Sequence, residues 1–146
     1  MKSITIARNN DLLRNALSIV ASTHNSRRGL TMPELIDRAM AARPQQFYLS
    51  YDTARRLLKT YYDHGHEAFL YAEKAAEVEE LAAHVERAMA RNRRMRLSEA
   101  LTFVLHFCRP SRFYISRDSA TRIIRRHFTT SIICTDPGAR LYLTAE

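Results

Sequence analysis

Apolar residues recur three and four positions apart over most of this chain, and the exceptions are short. Ser3-Ile4-Thr5-Ile6-Ala7 alternates polar with apolar and predicts a short edge strand. Leu13, Ala16, Leu17 and Val20 then form one stripe of a helix from Asp11 to about Ser22, with Asn9 or Asn10 available to cap it. Thr23 to Gly29 is a polar, basic loop. Thr31 followed three residues later by Glu34 is a capping-box pattern, and Pro33 suits a first helical turn. Met32, Leu35, Ile36, Ala39 and Met40 make the stripe of this second helix. Arg43-Pro44 should end it, because a residue before proline is pushed out of helical backbone.

Phe47-Tyr48-Leu49 reads as extended. Ser50 then caps a third helix that buries Ala54, Leu57, Leu58 and Tyr61 and ends near Asp63-His64-Gly65. Arg55, Arg56 and Lys59 fall on its outer face. A long helix is predicted over Glu67 to Ala90, then a basic loop, Arg91-Asn92-Arg93-Arg94-Met95-Arg96. Ser98 caps a helix to Phe107, where Phe103 and Phe107 widen the apolar face and predict deeper burial. Phe113-Tyr114-Ile115 is again extended, and Ser116 caps a last helix that buries Ala120, Ile123, Ile124 and His127. Arg122, Arg125 and Arg126 project from that helix at i, i+3, i+4 spacing. Residues 131–135 and 140–144 are β-prone and flank the turn Asp136-Pro137-Gly138-Ala139, which predicts a C-terminal β-hairpin.

Two of these stretches share one pattern. Residues 43–56 and 109–122 both read Arg-Pro-x-x-Phe-Tyr-Leu/Ile-Ser-x-Asp-x-Ala-x-Arg, at a constant offset of 66 residues. The fold class expected is therefore mainly α: two tandem three-helix units related by an internal repeat, with short extended connectors and a C-terminal β-hairpin. The units are residues 1–65 and 66–146, packed as one body. Most shared residues are fold grammar. Proline stops a helix, Phe and Leu or Ile bury one face of an extended segment, Ser and Asp start the next helix, and Ala allows close packing. That grammar has no need for Tyr48, Tyr114, Arg43, Arg109, Arg56 or Arg122. Repeated tyrosine and arginine suit base stacking and phosphate contact. They also suit a hydrogen-bonded lid between units, pairing of Arg43 or Arg109 with Asp52 or Asp118, or antiparallel connectors about a pseudo-two-fold axis that make the tyrosines structural.

Charge changes the picture more than composition does. The net charge is +8, and 20 of 23 basic residues are arginine. Residues 63–86 hold seven acids and one base, whereas residues 87–126 hold eleven arginines and two acids. Guanidinium groups bind phosphate in a bidentate way and stack on bases, so the expected partner is nucleic acid, duplex DNA in particular. No apolar run approaches the ~20 residues needed to span a bilayer, and no signal-peptide pattern opens the chain, so no membrane partner and a cytoplasmic location are expected. Cys108 and Cys134 read as small apolar residues, without disulfide or zinc spacing. Asp63, His64, His66 and Glu67 form the densest group of catalytic residue types and read as a solvated helix junction. The expectation is a protein that is not an enzyme, with no cofactor and no metal.

The helices ending in Ser50-Tyr51-Asp52-Thr53-Ala54-Arg55-Arg56-Leu57-Leu58-Lys59 resemble a helix-turn-helix unit, and the hairpin over 131–144 resembles the wing of winged-helix regulators. The connector Pro44 to Leu49 is longer and more aromatic than the usual tight turn. The resemblance implies that Tyr51, Arg55, Arg56 and Lys59 face a groove in the first copy, and Arg117, Arg122, Arg125 and Arg126 in the second. Arg27, Arg28, Arg91, Arg93, Arg94 and Arg96 would grip the backbone, with Arg112 in the same basic half. The second copy, richer in arginine, should dominate. The competing expectation is a structural or protein-interaction module that assembles, with itself or a partner, through charge-complementary surfaces.

Overall fold

A computed structural model describes residues 2–23, 30–128 and 140–141. It is mainly helical: α1 (Lys2–Thr23), α2 (Met32–Ala41), α3 (Tyr51–His64), α4 (Ala72–Arg91), α5 (Leu97–Phe107) and α6 (Arg117–Phe128), with a 3-10 turn at His66–Ala68. Two short strands, β1 (Leu30–Thr31) and β2 (Arg140–Leu141), pair antiparallel, Leu30 opposite Leu141. No helix among the described residues is long and apolar enough to cross a membrane.

The start signals act as their chemistry dictates. Glu34 N–H donates to Thr31 Oγ1 and Thr31 N–H to Glu34 Oε2, a complete capping box that places α2. Thr53 N–H donates to Ser50 Oγ at 3.2 Å, and Ser119 N–H to Ser116 Oγ at 3.1 Å, so both third helices start from the repeated serine. Gly65, at φ 76, closes α3, a backbone state that glycine adopts without strain.

Several local expectations are corrected. Residues 3–7 are the first turns of α1, with Ile6 58% exposed, not an edge strand. Helix satisfies its backbone groups internally, whereas a strand there would need a partner edge. The helix expected from Glu67 starts at Ala72, after the 3-10 turn. Helix α5 starts at Leu97 with no side-chain cap, and its Phe103 and Phe107 lie 43% and 74% exposed, not in the core. Ala100, Leu101 and Val104 already fill its inner face. His127 is exposed too, while Phe128 is buried in its place. The hairpin expected over 131–144 falls mostly outside the described residues. Of it, Arg140–Leu141 pairs with Leu30–Thr31 ahead of α2.

The apolar side chains form two clusters, and each draws on both halves of the sequence. The first joins Leu12, Ala16 and Val20 of α1 and Leu35, Ile36 and Ala39 of α2 to Phe113, Ile115 and the α6 residues Ala120, Ile124 and Phe128. The second joins Val78, Leu81, Ala82 and Val85 of α4 and Ala100, Leu101 and Val104 of α5 to Phe47 and the α3 residues Ala54 and Leu58. Helix α6 thus packs on α1 and α2, and α3 on α4 and α5. Burying a Leu, Ile or Phe side chain is worth about 1.5–3 kcal/mol, so these stripes decide where the third helices dock.

The crossing is made by the two connectors, residues 42–50 and 108–116. Arg43 donates to the carbonyls of Pro110 (3.3 Å) and Arg109 (3.2 Å), and Arg109 donates to those of Pro44 (2.8 Å) and Arg43 (3.0 Å). The same atoms are exchanged in both directions, as across a local two-fold axis. Phe113 N–H also donates to Met40 O at 3.0 Å.

Candidate nucleic-acid interface

Alternating burial along each connector sends consecutive aromatics to different places. Phe47 enters the second cluster, 2% exposed, and meets the His84 ring edge-on at 5.6 Å. Tyr48 turns back, and its hydroxyl donates to Asp11 Oδ2 at 2.6 Å, beside a 2.8 Å bond from Gln45 N–H to the same oxygen. Phe113 enters the first cluster, 1% exposed, while Tyr114 O–H donates to Glu80 Oε1 at 2.6 Å. Ser111 N–H and Oγ donate to the same Glu80 carboxylate at 3.0 Å. Each first helix thus supplies a carboxylate that holds its connector's backbone and tyrosine. Burial raises the Tyr48 phenol, and the Asp11 carboxylate adds to it. Tyr114 is raised likewise, by burial and then by Glu80. Burial pushes the Glu80 carboxyl upward, but the Ser111 and Tyr114 donors and His84 outweigh it and hold it below the usual carboxylate range.

Repeated tyrosine and arginine in the connectors are therefore internal. Arg43 and Arg109 reach backbone carbonyls, not Asp52 or Asp118, which are exposed. The guanidinium needs acceptors, and the crossing brings the other connector's carbonyls closest. Arg112 is half-buried and lies 4.9 Å from the Tyr114 ring centroid, a cation–π contact. Tyr51 is half-buried against the second cluster rather than presented on a groove-facing surface.

The other described basic residues expected at the interface face solvent. On α3, Ala54 and Leu58 are buried one turn apart, which leaves Arg55, Arg56 and Lys59 exposed on the outer side. On α6, Ala120, Ile124 and Phe128 are buried at the same spacing, and Arg117, Arg122, Arg125 and Arg126 are exposed. Arg117 forms an ion pair with Asp37 of α2, and Arg122 Nη2 lies 3.4 Å from Ser119 Oγ. Arg93, Arg94 and Arg96 are exposed in the tight link between α4 and α5, where Arg94 N–H donates to Asn92 Oδ1, and Arg91 is exposed at the end of α4. Arg27 and Arg28 lie outside the described residues. Among the described residues, Arg55, Arg56, Lys59, Arg93, Arg94, Arg96, Arg122 and Arg125 make no ion pair.

Several acids are engaged within the fold. Asp11 and Glu77 are buried, Glu34 completes the capping box, and Glu80 holds a connector. Glu77 accepts from Lys74 Nζ at 2.9 Å. Burial raises its carboxyl, and Lys74 and Arg8 offset this only in part. The group at 63–67 does not converge: His66 instead meets Glu79 of α4 at 3.5 Å. Sequence reading missed the roles of Asp11 and Glu80. The signal was faint, since these carboxylates stand 69 residues apart rather than at the repeat offset of 66.

No family model, no curated protein and no solved structure matches this chain.

Proposed function

We propose that this protein is a non-enzymatic nucleic-acid-binding protein that takes duplex DNA through the arginine surfaces of α3 and α6, with the 91–96 link gripping backbone phosphate. The observation that carries this reading is the set of exposed cations on these two helices that no carboxylate of the described residues neutralises, Arg55, Arg56 and Lys59 on one and Arg122 and Arg125 on the other. Desolvated acids inside the fold and uncompensated guanidiniums outside it make a polyanion the complementary ligand.

The finer architecture belongs to the same reading. The 66-residue repeat marks two three-helix units of helix-turn-helix type, and their third helices are exchanged. In such a unit the last helix follows the middle one through a short turn. Here the connector is longer because it crosses to the other unit. The exchange locks the two basic helices into one body, so a single chain carries two unlike binding helices. Helix α6 leads, since it is the richer in arginine, with Arg117, Arg122, Arg125 and Arg126.

Fluorescence anisotropy with a random-sequence duplex at two salt concentrations tests this. Binding should weaken steeply with salt, and Arg122→Glu with Arg125→Glu should cost at least about tenfold and lower the salt slope by about one per lost phosphate contact. Arg55→Glu with Arg56→Glu should cost less. No binding at low salt ends the reading. A salt-sensitive oligomer free of nucleic acid would support assembly through charge-complementary surfaces instead.

A further inference from the structure

We propose that the corner between α4 and α5 is a binding site for a small carboxylate with a flat apolar body. A cavity of about 220 Å3 opens there. Its apolar lining is Ala88, Met95, Phe103 and Cys108, and its polar wall carries Arg87 and Arg91. The two arginines stand at i and i+4 on one face of α4, where Arg87 Nε donates to Ala83 O at 3.3 Å and Arg87 Nη2 lies 3.5 Å from His84 Nδ1. No aspartate or glutamate lines the cavity. Arg87, Arg43 and Arg91 all pull on the Cys108 thiol, although burial prevails and raises it, which places a third guanidinium in electrostatic reach.

His84, also in the lining, adds no positive charge of its own. Burial and then Arg87 hold it below the usual imidazole value, against the opposing pull of Glu80 at 3.8 Å. The charge facing the cavity therefore comes from the arginines, which match a carboxylate in bidentate fashion. The opposite wall suits a flat ring. Phe103 is 43% exposed and tilts against Phe107 at 5.2 Å, so an aromatic body laid on it covers apolar surface now in water. Drug-sized pockets run from about 300 Å3 upward, so this one fits a body of one or two rings. Among the sites already described, it shares Arg91, Asn92 and Met95 with the basic link.

Cys108 makes the site readable. With Cys134→Ser, it is the one thiol left in the chain. Its alkylation by iodoacetamide is followed with 2-naphthoate, 2-naphthamide or inorganic phosphate present at millimolar concentration. Naphthoate should slow labelling severalfold, while the amide and phosphate should not. Arg87→Gln with Arg91→Gln should weaken the naphthoate effect by about tenfold or more, with helical content unchanged. Saturation-transfer NMR on the natural chain should show the same preference, which covers the case of a Cys134→Ser chain that folds poorly. Absence of naphthoate protection together with absence of saturation transfer overturns the proposal. So does equal protection by the amide, which would mean no anion selectivity, or by phosphate, which would mean charge alone.

Discussion

The two clusters use the same apolar grammar and finish their surfaces differently. On the first, Asp37 of α2 and Arg117 of α6 form an ion pair across the helix seam. At the repeat offset of 66, the corresponding residues on the second are Phe103 and Tyr51. One seam ends in charge and the other in aromatic surface, part of it open beside Cys108 and Arg87. Some positions shared between the copies bury, such as Ala54 and Ala120 or Phe47 and Phe113, while others, such as Asp52 and Asp118 or Arg56 and Arg122, stay exposed. The comparison separates what holds the molecule together from what it offers to others.

Removing the crossing aromatics should have the largest effect on that comparison. Phe113→Ala and Phe47→Ala each empty a fully buried site and should cost about 3–5 kcal/mol in urea unfolding. A clearly larger loss for one, or two separate transitions in the other's background, would break the equivalence of the clusters.

The tyrosine locks should differ. Asp11 is 2% exposed, and its Oδ1 is buried without a hydrogen-bond partner among the described residues. Tyr48→Phe should therefore cost about 2 kcal/mol, because it leaves the buried Asp11 carboxylate with Gln45 N–H as its one remaining hydrogen-bond donor among the described residues. Tyr114→Phe should cost about 1 kcal/mol, because Glu80 keeps both Ser111 donors and reaches solvent. Equal losses in thermal or urea unfolding would show that carboxylate burial does not set the difference.

Arg43→Ala and Arg109→Ala come next, at about 1 kcal/mol each, since both guanidiniums are partly exposed. Both side chains tie the same two connectors together, so a double-mutant cycle should show losses that do not add. Strict additivity would mean that the two halves of the crossing act independently.

The smallest effect is on pH dependence, and it has opposite signs at two glutamates of α4. Glu80 sits below its usual value, so its contribution is complete above the unfolded carboxylate range and is lost as pH falls through the folded value. Glu77 sits above its usual value, so its contribution is present when protonated and is lost as pH rises through the folded value. Relative to the natural chain, Glu77→Gln should gain stability as pH rises from the carboxylate range toward neutral, and Glu80→Gln should lose it. Urea unfolding at several pH values reads both signs.

Much of the local structure was legible because short-range chemistry sets it. Thr31 with Glu34, Ser50 and Ser116 start helices by reaching backbone N–H groups within three residues. Pro44 and Pro110 follow helix ends for an equally local steric reason. The outward placement of Arg55, Arg56, Lys59, Arg122 and Arg125 followed from the buried stripe opposite. Failures arose where the answer lay far along the chain. Ser3 to Ala7 alternates, yet only a waiting strand partner could have made it extended. Phe103 and Phe107 look like core, yet Leu101 and Val104 had taken the places that α3 and α4 offer.

By itself, the sequence determined six helical stripes, the caps of three of them, two extended aromatic connectors and an excess of arginine. Only the tertiary structure decided which stripe meets which. A helical stripe requires burial but does not name its partner, and α3 and α6 carry nearly interchangeable ones. The choice is made by the connectors, where Arg43 and Arg109 exchange carbonyls while Tyr48 and Tyr114 are held back by Asp11 and Glu80. Those bonds join residues between 34 and 67 positions apart, so no local pattern could have revealed them.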